Sequence, residues 1–284
     1  MTEHNLALAR HDPTHCLAPG LFRSLKRGER ESGKLDITHD MGASGCVRFI
    51  GFEPLGADDM RLLQGIVAMA GPDGLLLEPA PETEVGQQLR HSLATVGDAA
   101  ERDGMMVRAS MSRLLHEVGM TDGGRNIRAM KASLARMSNV TVVATNGPRQ
   151  ASYNLLSYAL DEETGGLLVA LNPRLAGAIL GDQRHVRIDL DEVRKLRSDP
   201  ARLIHQRLCG WIDPGKMGRV ALDTLCGYVW PDEANRSTKR KRRQRARDAL
   251  SELAALGWKV AECSRSRFEI ARPGVRTNGH AFPY

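Results

Sequence analysis

The densest chemistry in this 284-residue chain lies between Arg236 and Arg247, where RSTKRKRRQRAR holds 8 of the 40 Lys plus Arg and none of the 34 Asp plus Glu. The basic residues elsewhere fall two short of the acids, so the whole formal excess of +6 sits in this run. Cations at this density suit a polyanion, because phosphates attract them and counterions released from nucleic acid drive binding. The alternative is a solvated basic run with no partner.

Other candidate chemistry is weaker. Gly210 to Met217, GWIDPGKM, fits G-x-x-x-x-G-K, but Met217 stands where a phosphate loop needs Ser or Thr to hold magnesium. The preceding ARLIHQRLCGWI reads as helix rather than strand, and a Pro-Gly turn ending that helix accounts for the segment. A rolling-circle nicking enzyme would need a tyrosine nucleophile and an H-x-H pair whose neutral imidazoles hold a divalent ion. His4, His11, His15, His39, His91, His116, His185, His205 and His280 contain no such pair. His11 and His15 are four apart but straddle Pro13, so they read as surface or packing residues. Cys16, Cys46, Cys209, Cys226 and Cys263 are odd in number with no C-x-x-C, which suits reduced thiols. Aromatics at 4% argue against base-stacking platforms and leave duplex DNA open. The expectation is a non-enzyme with no cofactor and no metal.

The basic run must be positioned by a helix. RDALSELAALG puts Ala246, Leu250, Leu253, Ala254 and Gly257 on one stripe of helical period. Ser237 or Thr238 is expected to cap the start, and Gly257 to end it. The opposite face carries Ser237, Lys241, Gln244 and Asp248, flanked by Arg240, Arg245 and Arg247, as candidates for base edges and adjacent phosphates. Lys239, Arg242 and Arg243 share the stripe's sector one turn ahead of it and are expected on backbone phosphates at the rim. Upstream, MGRVALDTLCGYVW reads as strand then short helix; downstream, WKVAEC and RFEIAR read as strands joined by SRS. That order is a winged helix-turn-helix, whose second helix enters the major groove and whose hairpin, here with Arg265 and Arg267, touches flanking backbone.

The same order occurs earlier. Met105 to Arg108 reads as strand, Ser110 caps a short helix, and NIRAMKASLARM places Ile127, Met130, Leu134 and Met137 inward. Arg125, Arg128 and Arg136 fall on the opposite face with Lys131 at its edge. NVTVVAT and ASYNLLSYAL then form a hairpin through NGPR, which carries Arg149, and GGLLVALN adds a third strand. At roughly 150 residues per domain the length suits two domains. The fold class expected is α+β, two tandem winged helix-turn-helix domains: an N-terminal arm over 1–40, a first domain over 41–182, a second over 183–273 and a tail over 274–284. The longest apolar runs, Ile66 to Ala70 and Leu167 to Leu171, are far short of the ~20 residues of a spanning helix. The first residues lack the apolar stretch of a signal peptide, so a cytoplasmic protein with no membrane partner is expected.

RHDPTHCLAPGLFRSLKRGER, EPLGADDMRLLQGIVAMAGP, ARLIHQRLCGWIDPGK, DTLCGYVWP and KRRQRARDALSELAALGW together resemble the RepC family, replication initiators of IncQ-type broad-host-range plasmids. The resemblance runs from about Arg10 to about Pro273; no functional residue is carried from the less familiar stretch 81–103. It implies a bacterial initiator that binds directly repeated iterons in double-stranded origin DNA and promotes opening of an adjacent AT-rich region. It also implies a plasmid helicase and primase as partners, and tandem winged helices as the class architecture. Self-association is a further expectation. The rival from another class is a dimeric winged-helix transcriptional repressor on a palindromic operator, whose two-fold symmetry would match its site. Two different reading units in one chain suit an asymmetric direct repeat better.

Overall fold

A computed structural model describes residues 6–26 and 28–275; part of the expected tail, 276–284, lies outside the described residues. The chain opens with β1 (Leu8–His11), α1 (Pro13–Leu17), α2 (Glu29–Ser32), β2 (Leu35–Asp40), β3 (Cys46–Gly51) and α3 (Ala57–Asp73). Next come β4 (Gly74–Leu77), α4 (Glu84–Ser92), β5 (Gly104–Ser110), α5 (Met111–Glu117) and α6 (Gly124–Ser138). β6 (Thr141–Asn146), β7 (Arg149–Asn154), β8 (Leu156–Leu160), β9 (Gly166–Leu171), α7 (Pro173–Leu180), β10 (Val186–Asp189), α8 (Leu190–Lys195) and α9 (Asp199–Trp211) follow. The chain then forms β11 (Met217–Ala221), α10 (Leu222–Val229), α11 (Arg236–Ala255), β12 (Lys259–Ser264) and β13 (Arg267–Ala271).

Local chemistry explains the boundaries. The Ser110 hydroxyl accepts the Arg113 N–H and starts α5; the Asn172 side chain accepts the N–H groups of Arg174 and Leu175 ahead of α7. Gly181 ends α7 at φ +88°, where a side chain would be strained. Among the described residues the strands form four antiparallel sheets with orders β2-β3-β6-β7, β4-β5-β9-β8, β11-β13-β12 and β1-β10. The protein is therefore mixed α and β.

One expectation needs correction. ASYNLLSYAL is not one hairpin arm: β7 pairs with β6, while β8 crosses to the second sheet beside β9. Leu155 and Leu156 are both fully buried, so the alternation of a single strand breaks there and the chain changes sheets. The described part of residues 1–40 packs on the rest of the chain: β1 pairs with β10, α1 packs on α9 and β2 pairs with β3. Among the described residues, one large buried cluster runs from Leu6 to Ile270, with a smaller one of Leu77, Leu89, Leu93 and Ala170 beside it.

His11 and His15 are buried, not superficial. The Asp12 carboxylate accepts from His15 Nδ1 at 2.9 Å and pairs with Arg174 Nε at 3.0 Å. Burial, then repulsion from His15, drops the pKa of His11 to about 3. Among the described residues, no helix is long and apolar enough to cross a membrane.

Candidate nucleic-acid interface

α11 follows α10 through a short turn, and Asn235 rather than Ser237 or Thr238 caps it, accepting the Thr238 N–H at 2.9 Å. The capping side chain must sit one residue before the first helical turn, where Asn235 is extended (φ −66°, ψ 167°). Ala246, Ala249, Leu250 and Leu253 are buried against α9 and α10. Ala249 takes the inward place expected of Ala254, which is exposed. Glu252 accepts the N–H groups of Arg197 and Ser198 at 2.7 and 3.3 Å, fixing α11 to the start of α9.

The inward packing leaves Arg236, Ser237, Lys239, Arg240, Lys241, Arg243, Gln244 and Arg245 exposed, with Thr238 and Arg247 half-buried. Partners divide the cations further. Arg243 grips Asp223 of α10 through two hydrogen bonds of 2.6 and 2.5 Å. Arg247 pairs with Glu262 at 3.1 Å and lies over the Phe268 ring. Gln244 Nε2 donates to Asp248 at 2.9 Å, which orients its amide along the exposed face. Among the described residues, Arg236, Lys239, Arg240, Lys241 and Arg245 have no ion pair. Arg236 was not among the sequence candidates, although its place in the basic run was the available signal.

Arg242 is the clearest correction. It is buried, donates to the Asp232 carbonyl at 2.6 Å and lies 5.8 Å from the Trp230 ring centroid. Its long stem follows the helix's inward sector down to the α10–α11 turn, so its charge holds that turn instead of a phosphate.

The β12–β13 hairpin stands beside α11 and exposes Arg265 and Arg267. Ser266 turns it with φ +60°, and Glu262 accepts the Ser266 N–H at 2.7 Å while also pairing with Arg247. One carboxylate thus ties the hairpin tip to the helix.

α6 reproduces the plan with fewer available charges. Met130, Leu134 and Met137 are buried as expected and Ile127 is half-buried; Arg125 and Arg128 are exposed with no ion pair among the described residues. Lys131 pairs with Glu162. Arg136 is half-buried and bonds Asp59 Oδ1 at 2.8 Å, so neither it nor Lys131 is free for phosphate. The Asp59 carboxylate also accepts from Ser133, from Arg30 at 3.1 Å and from the Gly56 N–H at 2.7 Å. A helical wheel cannot foresee a carboxylate arriving from a distant helix. Arg149 is 80% exposed at the β6–β7 hairpin and 3.9 Å from Asp98.

The G-x-x-x-x-G-K segment is the end of α9 followed by a tight turn in which the Lys216 N–H reaches the Asp213 carbonyl at 3.0 Å. A phosphate loop would need a strand there.

Comparison with known proteins sets this geometry in a family. No curated protein matches the chain. A crystal structure of domains 2 and 3 of RctB, as a selenomethionine derivative, matches with a TM-score of 0.57 at 10% identity, covering 93% of this chain and 99% of that one. A second structure of RctB domains 2–3 gives 0.53 at 9% identity, with 92% and 96% covered. At such identity the likeness concerns the fold alone, but it spans nearly the whole of both chains. The family model for Replication protein C matches residues 3–274, and on that span the chain belongs to the RepC family of replication proteins.

Proposed function

We propose that the chain is a plasmid replication initiator that binds directly repeated iterons in origin DNA and promotes opening of the adjacent AT-rich region for helicase loading. In this reading it is built from two tandem winged helices. α11 enters a major groove with Lys241 and Gln244 toward base edges, and with Ser237, Thr238, Lys239, Arg240 and Arg245 toward base edges or phosphates. Arg265 and Arg267 on the β12–β13 wing meet the flanking backbone. α6, with Arg125 and Arg128, reads the neighbouring groove, and Arg149 is its wing contact. Arg243 and Arg247 reach phosphate only by giving up their present carboxylates.

The carrying observation is that, among the described residues, five cations on one helix are exposed without an acidic partner, on a helix whose opposite face is anchored in the core. Membership of the RepC family supports origin DNA as the polyanion. The protein acts by binding rather than catalysis, in the bacterial cytoplasm, with the plasmid's helicase and primase as partners.

Footprinting the full chain on its own plasmid's origin tests this. Protection should repeat in one direction, with one asymmetric repeat per protected unit. A two-fold symmetric footprint would replace the reading with a dimeric repressor on a palindromic operator.

A further inference from the structure

The β1–β10 ribbon carries cations outside the helix and hairpin surfaces. Its register sets Leu8 opposite Asp189, Ala9 opposite Ile188, Arg10 opposite Arg187 and His11 opposite Val186. Ala9, His11, Val186 and Ile188 are buried, while Leu8, Arg10, Arg187 and Asp189 are half-buried. Side chains alternate along a strand, so Arg10 and Arg187 stand side by side on the outward face. Like charges directly opposed across two strands destabilise the pairing.

No salt bridge among the described residues relieves them. Among the described residues neither arginine has an ion pair, and exposed Arg184 has none. Asp189, the acid on the ribbon, is occupied in capping α8 through the N–H groups of Asp191 and Glu192 at 2.8 and 3.1 Å. The neighbouring charges are basic: partial burial, then Arg10, lowers the pKa of His185, and burial, then Arg10 and Arg272, lowers that of Arg187. Arg272 itself is fixed, donating to the carbonyls of Cys209 at 2.9 Å, Ile212 at 3.1 Å and Arg187. A repelling pair with water on one side and no carboxylate paired to it is an arrangement that a phosphate stabilises.

The ribbon's place in the fold indicates whose phosphate. β1 packs on α3 and α7 beside the first reading unit, and β10 packs on α9, which carries α11. The outward face has no aromatic ring on which a base could stack, so the contact fits backbone and not base. We propose that Arg10 and Arg187, with Arg184, form a phosphate-backbone contact for duplex DNA at the junction between the two reading units. This rests on the reading of the chain as a duplex-binding protein.

The test uses the full chain, with fluorescence anisotropy on a duplex of its own origin repeat and on a scrambled duplex of equal length, from 50 to 200 mM salt. Arg10→Gln with Arg187→Gln should lower affinity about thirtyfold near 0.15 M salt, by equal factors on both duplexes, and flatten the log–log salt slope by about 2. Thermal melting should stay level or rise, because the repulsion is removed. Wild-type binding with a salt slope that the double variant keeps overturns the junction contact alone. A wild-type chain without salt-dependent duplex affinity overturns both this contact and the duplex reading. A drop in melting temperature that accompanies weaker binding makes the pair structural and overturns the contact as well.

Discussion

α6 and α11 share a plan: a short helix before them, an apolar inward stripe, and a hairpin behind. Their charges have different fates. On α11, three of eight cations are taken, Arg242 by the Asp232 carbonyl, Arg243 by Asp223 and Arg247 by Glu262. On α6, Arg136 and Lys131 are neutralised, leaving Arg125 and Arg128. A cation already paired must lose that partner before it gains by meeting phosphate, so α11 is the stronger polyanion surface by more than its sequence charge suggests. Each unit is also held to the body by a buried carboxylate. Asp59 clamps Arg136 and Ser133 of α6, and Glu192 accepts from Trp258 Nε1 at 3.0 Å, just beyond α11, and from His205 Nε2 at 2.7 Å.

The largest effect that would break this comparison is salt. If the free cations of α11 and its hairpin dominate and neutralise about six to ten phosphates, affinity should fall by on the order of 10³ to 10⁵ between 50 and 200 mM salt. A nearly flat titration would remove α11 from the interface.

Next are the two anchors. Removing one partner of a buried, hydrogen-bonded charge pair costs about 3 to 5 kcal/mol, so Asp59→Ala and Glu192→Ala should each lose that order of stability in chemical denaturation. The second anchor has a pH signature. Burial opposes protonation of His205, but Cys209 and Glu192 beside it push its pKa from 6.5 up to about 10. Its contribution is complete below pH 6.5 and lost as pH rises through about 10. Burial raises the pKa of Glu192, yet the His205 and Trp258 hydrogen bonds carry it below 4.5, so its part is present above that pH and lost as pH falls through the lowered value. Glu192→Ala should flatten the alkaline loss relative to the parent. An unchanged pH–stability curve would show that the pair does not hold the unit.

Readout on α11 comes third. Lys241→Ala and Gln244→Ala should each cost about 1 to 3 kcal/mol on the origin repeat and little on random DNA, as base contacts do. Equal losses on both would move these side chains to the backbone class and reduce α11 to an electrostatic grip.

What the sequence revealed and what it hid divide by range. Ser110 as a cap, the stripe of Met130, Leu134 and Met137, and the turn at Gly147 are local signals, and the corresponding elements stand where those signals place them. The candidates on α11 were also legible, because eight cations without an acid stand out in composition alone. Contacts between residues far apart in sequence left no such mark. Arg136 meets Asp59 across 77 residues, and the four-residue β1 finds its partner in β10 with no turn to announce the pairing. A helical wheel assigns a side chain to a sector of its own helix; it carries no information about a carboxylate presented by another element. That is why Arg242 and Arg136 looked available and are not.

The smallest expected effect tests whether α6 touches DNA at all. Arg125→Ala and Arg128→Ala remove exposed cations that hold no ion pair, so neither should lower the melting temperature. If each meets one phosphate, affinity should fall about fivefold near 0.15 M salt, equally on the origin repeat and on random DNA, with the salt slope reduced by about 1. Arg136→Ala is the internal control, since it strips Asp59 of a partner and should cost stability whether or not DNA is present. A sequence-specific loss at Arg125 or Arg128 would promote α6 to a base reader equal to α11. No loss at either would remove α6 from the interface, and the expected footprint would shrink from two successive major grooves, about 34 Å apart, to one.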